Sequence, residues 1–212
     1  LGNRKSLWLA IVAGAAGLCI AAMSTSAGDY SGRVVVELLE DMEFFHKFRL
    51  LEDFAFQDAR GKVWIARKGG IVDDQSVPRD LLSVPGLPYV AEYRKAAVLH
   101  DYFCRTRTEP WRQVHRAFFE ASIADGLTEM QAKALYAVVY AGSWRWETRD
   151  SSCYRSCHAA SESLAWKPAA TAIEIEPVVQ WIWQQAPDLD AIDRRVDEVV
   201  KKPGPHLFAQ RP

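Results

Sequence analysis

The residue types in this chain that could do chemistry gather around one stretch, Ala96-Ala97-Val98-Leu99-His100-Asp101-Tyr102-Phe103-Cys104, where an apolar run ends in a histidine and a carboxylate side by side. A second histidine, His115, follows a turn-rich segment, and Asp73 lies upstream in a proline-rich one. An imidazole can act as general base on water while a hydrogen-bond partner fixes its tautomer. Imidazole nitrogen with carboxylate oxygen can also hold a divalent metal, zinc or calcium. The candidate catalytic set is therefore His100, Asp101, His115 and Asp73, and the candidate metal ligands are His100, Asp101 and His115.

Two helices must position these groups. His100 has Ala96, Ala97, Phe103 and Cys104 three and four residues away, so on a helix over residues 91–105 it sits in an apolar stripe facing the core. His115 has Trp111, Phe118 and Phe119 at the same offsets. Its helix opens near Pro110, with Thr108 or Glu109 as cap, and stops at Ala124-Asp125-Gly126. In an antiparallel helical hairpin, residues equidistant from the loop centre lie at the same height. The midpoint between His100 and His115 falls between Arg107 and Thr108, in the middle of the connection, so the two imidazoles are expected to meet across the hairpin. The plainer alternative is that each histidine satisfies a core hydrogen bond and Asp101 pairs with Arg105 at i,i+4.

The upstream segment, residues 71–88, holds three prolines and a glycine and reads as an extended loop. It can present Asp73, Asp74, Ser76 and Arg79; Ser76 and Arg79, with Tyr102 of the helix, are the candidate substrate-binding residues. The competing reading is that Asp73 or Ser76 only caps a turn.

Elsewhere, residues 33–43 read as a strand turning into a short helix. Phe48, Leu50, Phe54 and Phe56 alternate with polar residues, turn at Asp58-Ala59-Arg60-Gly61 and return through Val63-Trp64-Ile65-Ala66, a β-hairpin or two strands of a small antiparallel sheet. A capping box, Thr128 to Gln131, opens a third helix that runs to about Trp146. Residues 148–170 are polar and irregular, and a last helix over 173–201 is interrupted by Pro187. The expected fold class is α+β, a small N-terminal antiparallel sheet packed against a mainly helical C-terminal part, as a single domain over residues 28–202 with a flexible tail at 203–212.

The chain has 212 residues, with 26 basic and 27 acidic side chains and a formal charge of -1, so no global basic field draws in nucleic acid. Arg4 and Lys5 precede an uncharged run over residues 7–23, followed by Ser24-Thr25-Ser26-Ala27. This is the layout of a signal peptide over residues 1–27, or of a retained anchor whose residues 7–23 contact the membrane. Either form places the body outside the cytoplasm, as an exported periplasmic or secreted protein or one tethered to the membrane. Removal of that segment takes Cys19 and leaves Cys104, Cys153 and Cys157, for which a disulfide from Cys104 to one of the other two is expected. A small metal clip of Cys153, Cys157 and His158 is the other option.

Over residues 62–146 the chain resembles the phage-associated domain of unknown function 1353 family. The resemblance rests on Asp73 ahead of Ser76-Val77-Pro78-Arg79, on Ala96-Ala97-Val98-Leu99-His100-Asp101-Tyr102, on the Phe118-containing helix and on Tyr136-Ala137-Val138-Val139-Tyr140-Ala141-Gly142. It brings no established activity. Where that family has an Asp in the second helix this chain has His115, which moves the site toward metal binding or marks the loss of a catalytic dyad. The His-Asp pair on one helix with a partner on the next is also similar to the secreted phospholipase A2 arrangement, although the calcium-loop glycines and paired disulfides of that class are missing.

Three readings result. One is an exported hydrolase acting on a cell-envelope substrate through the His/Asp cluster. The second is a non-catalytic envelope or phage-derived module, with the same residues as a structural polar network and a Trp-rich surface that binds a partner protein or lipid. The third is a membrane-tethered accessory protein whose main feature is its anchor.

Overall fold

The structure, a computed structural model, describes residues 28–39, 47–73, 77, 81–146, 165–168 and 170–200. It is α+β, with short antiparallel strands first and five helices mostly after them. The strands are β1 (Asp29–Ser31), β2 (Val36–Leu39), β3 (Lys47–Leu50), β4 (Phe54–Gln57), β5 (Val63–Ala66) and β6 (Ile71–Asp73). A 3-10 turn at Val90–Tyr93 leads into α1 (Arg94–Thr106), followed by α2 (Trp111–Ala124) and α3 (Glu129–Gly142). β7 (Arg145–Trp146) pairs with β8 (Ala165–Trp166), and α4 (Ala172–Gln185) and α5 (Leu189–Val199) complete the order.

The expected hairpin is β4–β5, with Phe56 opposite Trp64. Its turn is built by Asp58, whose Oδ1 accepts the N–H of Arg60 and of Lys62, while Gly61 takes a left-handed φ of 85°. Phe48 and Leu50 do not continue that hairpin. They belong to β3, so the six strands form two sheets, β1-β4-β5 and β2-β3-β6, instead of one. The break is a corner at residues 51–53, where Asp53 accepts the N–H of Lys68 at 2.8 Å and an Arg67 guanidinium N–H at 2.9 Å. Leu50, Phe54, Phe56, Trp64, Ala66 and Val72 join the core.

The helices follow from their caps and stripes, with local departures. Pro110 is the N-cap of α2 and no side chain caps that end, so neither Thr108 nor Glu109 takes the role. At the other end Asp125 stops the helix, and its carboxylate accepts the N–H of Ala96 at 2.9 Å, tying the end of α2 to the first turn of α1. The Thr128–Gln131 capping box is present. However, α3 ends at Gly142, and Trp146 belongs to β7. From Ala132 to Gly142 α3 is buried on every side, and α2, α4 and α5 pack on it. Ala134, Ala137 and Ala141 leave room for that close approach. The last predicted helix is two, broken at residues 186–188 with Asp188 as the N-cap of α5.

The predicted 71–88 loop begins as a strand, β6, and Val77, Leu81 and Val84 insert into the core. Residues 40–46, the end of the strand-to-helix segment, lie outside the described residues, as does most of the irregular 148–170 segment. The 7–23 run and the 203–212 tail lie outside them too, and among the described residues no helix is long and apolar enough to cross a membrane.

Candidate functional site

The α1–α2 hairpin turns at Arg107, a C-cap in the left-handed region with φ 52°, whose N–H returns to the Phe103 carbonyl. Both histidines face inward, and their rings stand 5.1 Å apart, centroid to centroid, across the two helices. His115 is fully buried and His100 almost so. Their walls are aromatic: Phe118 lies 5.0 Å from the His100 ring, and Trp111 5.3 Å from that of His115.

The third member of this cluster is Cys104, one turn after His100 on the same face of α1. One ligand atom from each of His100, Cys104 and His115 lies within 4.8 Å of the others. Cys104 Sγ is 3.4 Å from His100 Nε2. Neither ring nitrogen of His115 makes a fully formed hydrogen bond, although the Trp144 backbone stands close to one of them. Burial pushes His100 down to about 3, with the positive charge of Lys167 adding to the effect. Burial holds His115 well below the usual histidine range, helped by His100, Arg145 and Arg112 and opposed by a smaller backbone contribution from Trp144. The Cys104 thiol is pushed up by burial. Cys104 is a free, buried thiol; Cys153 and Cys157, the other cysteines of the expected disulfide, lie outside the described residues, as does His158.

Asp101 is not in this cluster. Neighbouring helical residues project about 100° apart around the axis, and Asp101 turns to the flank that meets β6. There its Oδ2 accepts the backbone N–H of Asp73 at 2.5 Å and faces Arg105 Nε at 3.5 Å, the i,i+4 pairing that the sequence allows. Arg105 also donates to the Asp73 carboxylate. Two carboxylates, one from a helix and one from a strand end, thus share one guanidinium. Burial raises the Asp101 carboxyl to about 7, and the nearby Asp73 adds to the rise; Arg105 and the Asp73 N–H act against it.

Tyr102 is half-buried beside this flank, over Gly70. A Cβ at Gly70 would lie 2.6 Å from the tyrosine ring, so the close approach requires glycine there. Ser76 and Arg79 lie outside the described residues. The structure therefore divides the predicted set in two: His100 with His115 on one side of α1, and Asp73 with Asp101 on the other. Cys104 and Arg105 are the residues that the sequence reading left out of the site. Both stand one helical turn from a chosen residue, Cys104 from His100 and Arg105 from Asp101, and that spacing is the signal for each.

Comparison with known proteins agrees on the family. Residues 48–139 match the model of the family described as Protein of unknown function (DUF1353). The chain is 38% identical over 104 residues to the uncharacterized protein y4jT of Sinorhizobium fredii, a stretch that is 48% of this chain and 31% of that protein. It is 37% identical over 101 residues to the uncharacterized protein y4iH of the same organism, covering 48% of this chain and 42% of that one. The chain thus spans less than half the length of these relatives. No solved structure matches it. The matched segment holds β3 to β6, α1, α2 and most of α3, and with them both residue clusters; over residues 48–139 the chain is similar to the DUF1353 family, a family of unknown function.

Proposed function

We propose that this protein is an exported hydrolase of a cell-envelope substrate, with Asp101 and Asp73 as its working pair. The observation that carries the reading is the meeting of these two carboxylates on Arg105, where the chain leaves β6 for the 74–80 segment. Two carboxylates are sufficient equipment for hydrolysing a glycosidic bond, with no nucleophilic hydroxyl or thiol required. Asp101, buried and partly protonated at neutral pH, gives its proton to the leaving oxygen. Asp73 takes a proton from the attacking water, whose hydroxyl goes to the sugar carbon. Arg105 holds the two acids in register. Tyr102, with Ser76 and Arg79 after Asp73 in the chain, supplies the substrate contacts. Export rests on the sequence pattern over residues 4–27.

Full-length protein incubated with dye-labelled peptidoglycan should release soluble dye, and Asp101→Asn should slow release by at least about 100-fold, the scale of a lost general acid. A silent wild type, or an Asp101→Asn variant as fast as wild type, overturns the reading. One observation favours a non-catalytic module that binds an envelope component or partner protein: Arg105 pairs both carboxylates within the fold, as a structural network would. The silent wild type is the outcome that reading predicts.

A further inference from the structure

The second cluster on α1 has no part in the acid pair, and its chemistry is of another kind. We infer that His100, Cys104 and His115 form a buried site for one d10 metal ion, Cu(I) or Zn(II), held by a thiolate and two imidazoles. The site is built by the hairpin. His100 and Cys104 share a face of α1 at i,i+4, and His115 comes from α2 at the same height.

The geometry is close to that of a bound site. Ligands about 2.0 Å (N) and 2.3 Å (S) from a common metal, at tetrahedral to trigonal angles, stand roughly 3.3–3.8 Å from one another. Cys104 Sγ and His100 Nε2 are already 3.4 Å apart, and all three ligand atoms lie within 4.8 Å. Small side-chain rotations about a shared centre close the set. A second, independent observation points to a ligand: the Trp144 backbone can engage one ring nitrogen of fully buried His115, and the other is without a hydrogen-bond partner. Buried polar groups are paired as a rule, and a metal ion would pair that nitrogen.

The donor set selects the ion. Thiolate and imidazole favour Cu(I) and Zn(II), whereas calcium and magnesium require oxygen donors, and Asp101, the carboxylate next to His100 in the chain, is engaged by Asp73 and Arg105. Among the described residues there are three such ligands. A monovalent Cu(I) with one thiolate and two neutral imidazoles makes a centre of zero net charge, suited to walls formed by Trp111, Phe118 and Tyr140. Zn(II) would leave a net positive charge and take a water or further group as its fourth ligand. Binding releases the Cys104 proton to solvent.

The test uses full-length protein in which Cys19, Cys153 and Cys157 are changed to serine, so that a thiolate signal reports Cys104 alone. Titration with Co(II), a spectroscopic stand-in for zinc, should give a thiolate-to-metal charge-transfer band that saturates at one equivalent. Separate titrations with Zn(II), and with Cu(I) under anaerobic conditions against a chromophoric chelator, identify the preferred ion. Cys104→Ala and His115→Gln should each weaken binding by more than about 100-fold, above the range for a lost second-shell partner. Thermal melts of both variants check that they remain folded. Absence of the Co(II) band together with no stoichiometric Cu(I) binding in the parent protein overturns the proposal without recourse to any variant, as does equal affinity in folded Cys104→Ala. Either result leaves the Asp73–Asp101 reading untouched, since neither carboxylate is among the three ligands.

Discussion

His100 and Asp101 are neighbours in the chain and point to different neighbourhoods, His100 to Cys104 and His115 in the core, Asp101 to Asp73 and Arg105 on the β6 flank. The dipeptide therefore does not act as a dyad. Its two side chains enter two clusters about 100° apart around one helix, a buried His–Cys–His group and a carboxylate pair nearer the surface.

The packing of Tyr102 over Gly70 is the most sensitive point of the carboxylate flank. In Gly70→Ala the new Cβ would meet the Tyr102 ring at 2.6 Å and the Arg67 carbonyl at 3.0 Å. Backbone and ring must both shift, at a cost of about 1–3 kcal/mol. Urea unfolding of the variant should show a lower midpoint at an unchanged slope. A midpoint equal to wild type would mean that Tyr102 is free to move aside.

Asp193 on α5 is a hub that joins three helices. It accepts from Tyr136 at 2.6 Å and Arg116 at 2.7 Å, and Arg112 lies 3.5 Å away. Removing it leaves the buried Tyr136 hydroxyl without its acceptor, while Arg116 keeps Asp190, so Asp193→Ala should cost about 1–3 kcal/mol. Asp190, the exposed partner of Arg116, provides the control, and Asp190→Ala should lie within about 0.5 kcal/mol of wild type. Thermal or urea unfolding of the two variants compares them. Equal losses in the two would contradict the assignment.

In metal-free protein the stability should fall with acid. A histidine kept neutral by the fold binds its proton only in the unfolded chain below pH 6.5, and each such group then costs about 1.4 kcal/mol per pH unit. His100 does so down to about pH 3, and His115 has the same sign. Asp101, raised to about 7, works the other way: between pH 7 and 3.8 the folded form holds a proton that the unfolded one does not, which stabilises the fold as pH drops. Asp125, whose carboxyl burial also raises, acts with Asp101, so the two histidines leave a partly offset loss from pH 6.5 to pH 5, and Asp101→Asn should make it steeper. Urea unfolding in the presence of chelator measures the slope. Stability that rises over that interval would contradict the burial of the two histidines.

The hairpin and the inward direction of its histidines were legible in the sequence because they rest on local rules: the apolar neighbours at i±3 and i±4, the stop at Asp125-Gly126, and equal distances from a short loop. The two-sidedness of α1 follows from the same periodicity, although proximity in the chain drew His100 and Asp101 into one set. What brings Asp73 to Asp101 is not local. It depends on β6 pairing with β3 and lying against α1, and no residue pattern near Asp73 announces that contact. The division of the strands into two sheets is equally non-local, since it turns on Asp53 reaching Arg67 and Lys68 across a corner. Cys104 was within reach at i+4 from His100, but a chain with three other cysteines made a disulfide the competing explanation.

The most direct test of the central claim is dye release from labelled peptidoglycan by four full-length proteins: wild type, Asp101→Asn, Asp73→Asn and Cys104→Ser. If the carboxylate pair does the chemistry, wild type and Cys104→Ser release dye at similar rates while both aspartate variants fall by at least about 100-fold with their folds intact. Release by Asp101→Asn at the wild-type rate, or no release by wild type, would contradict it.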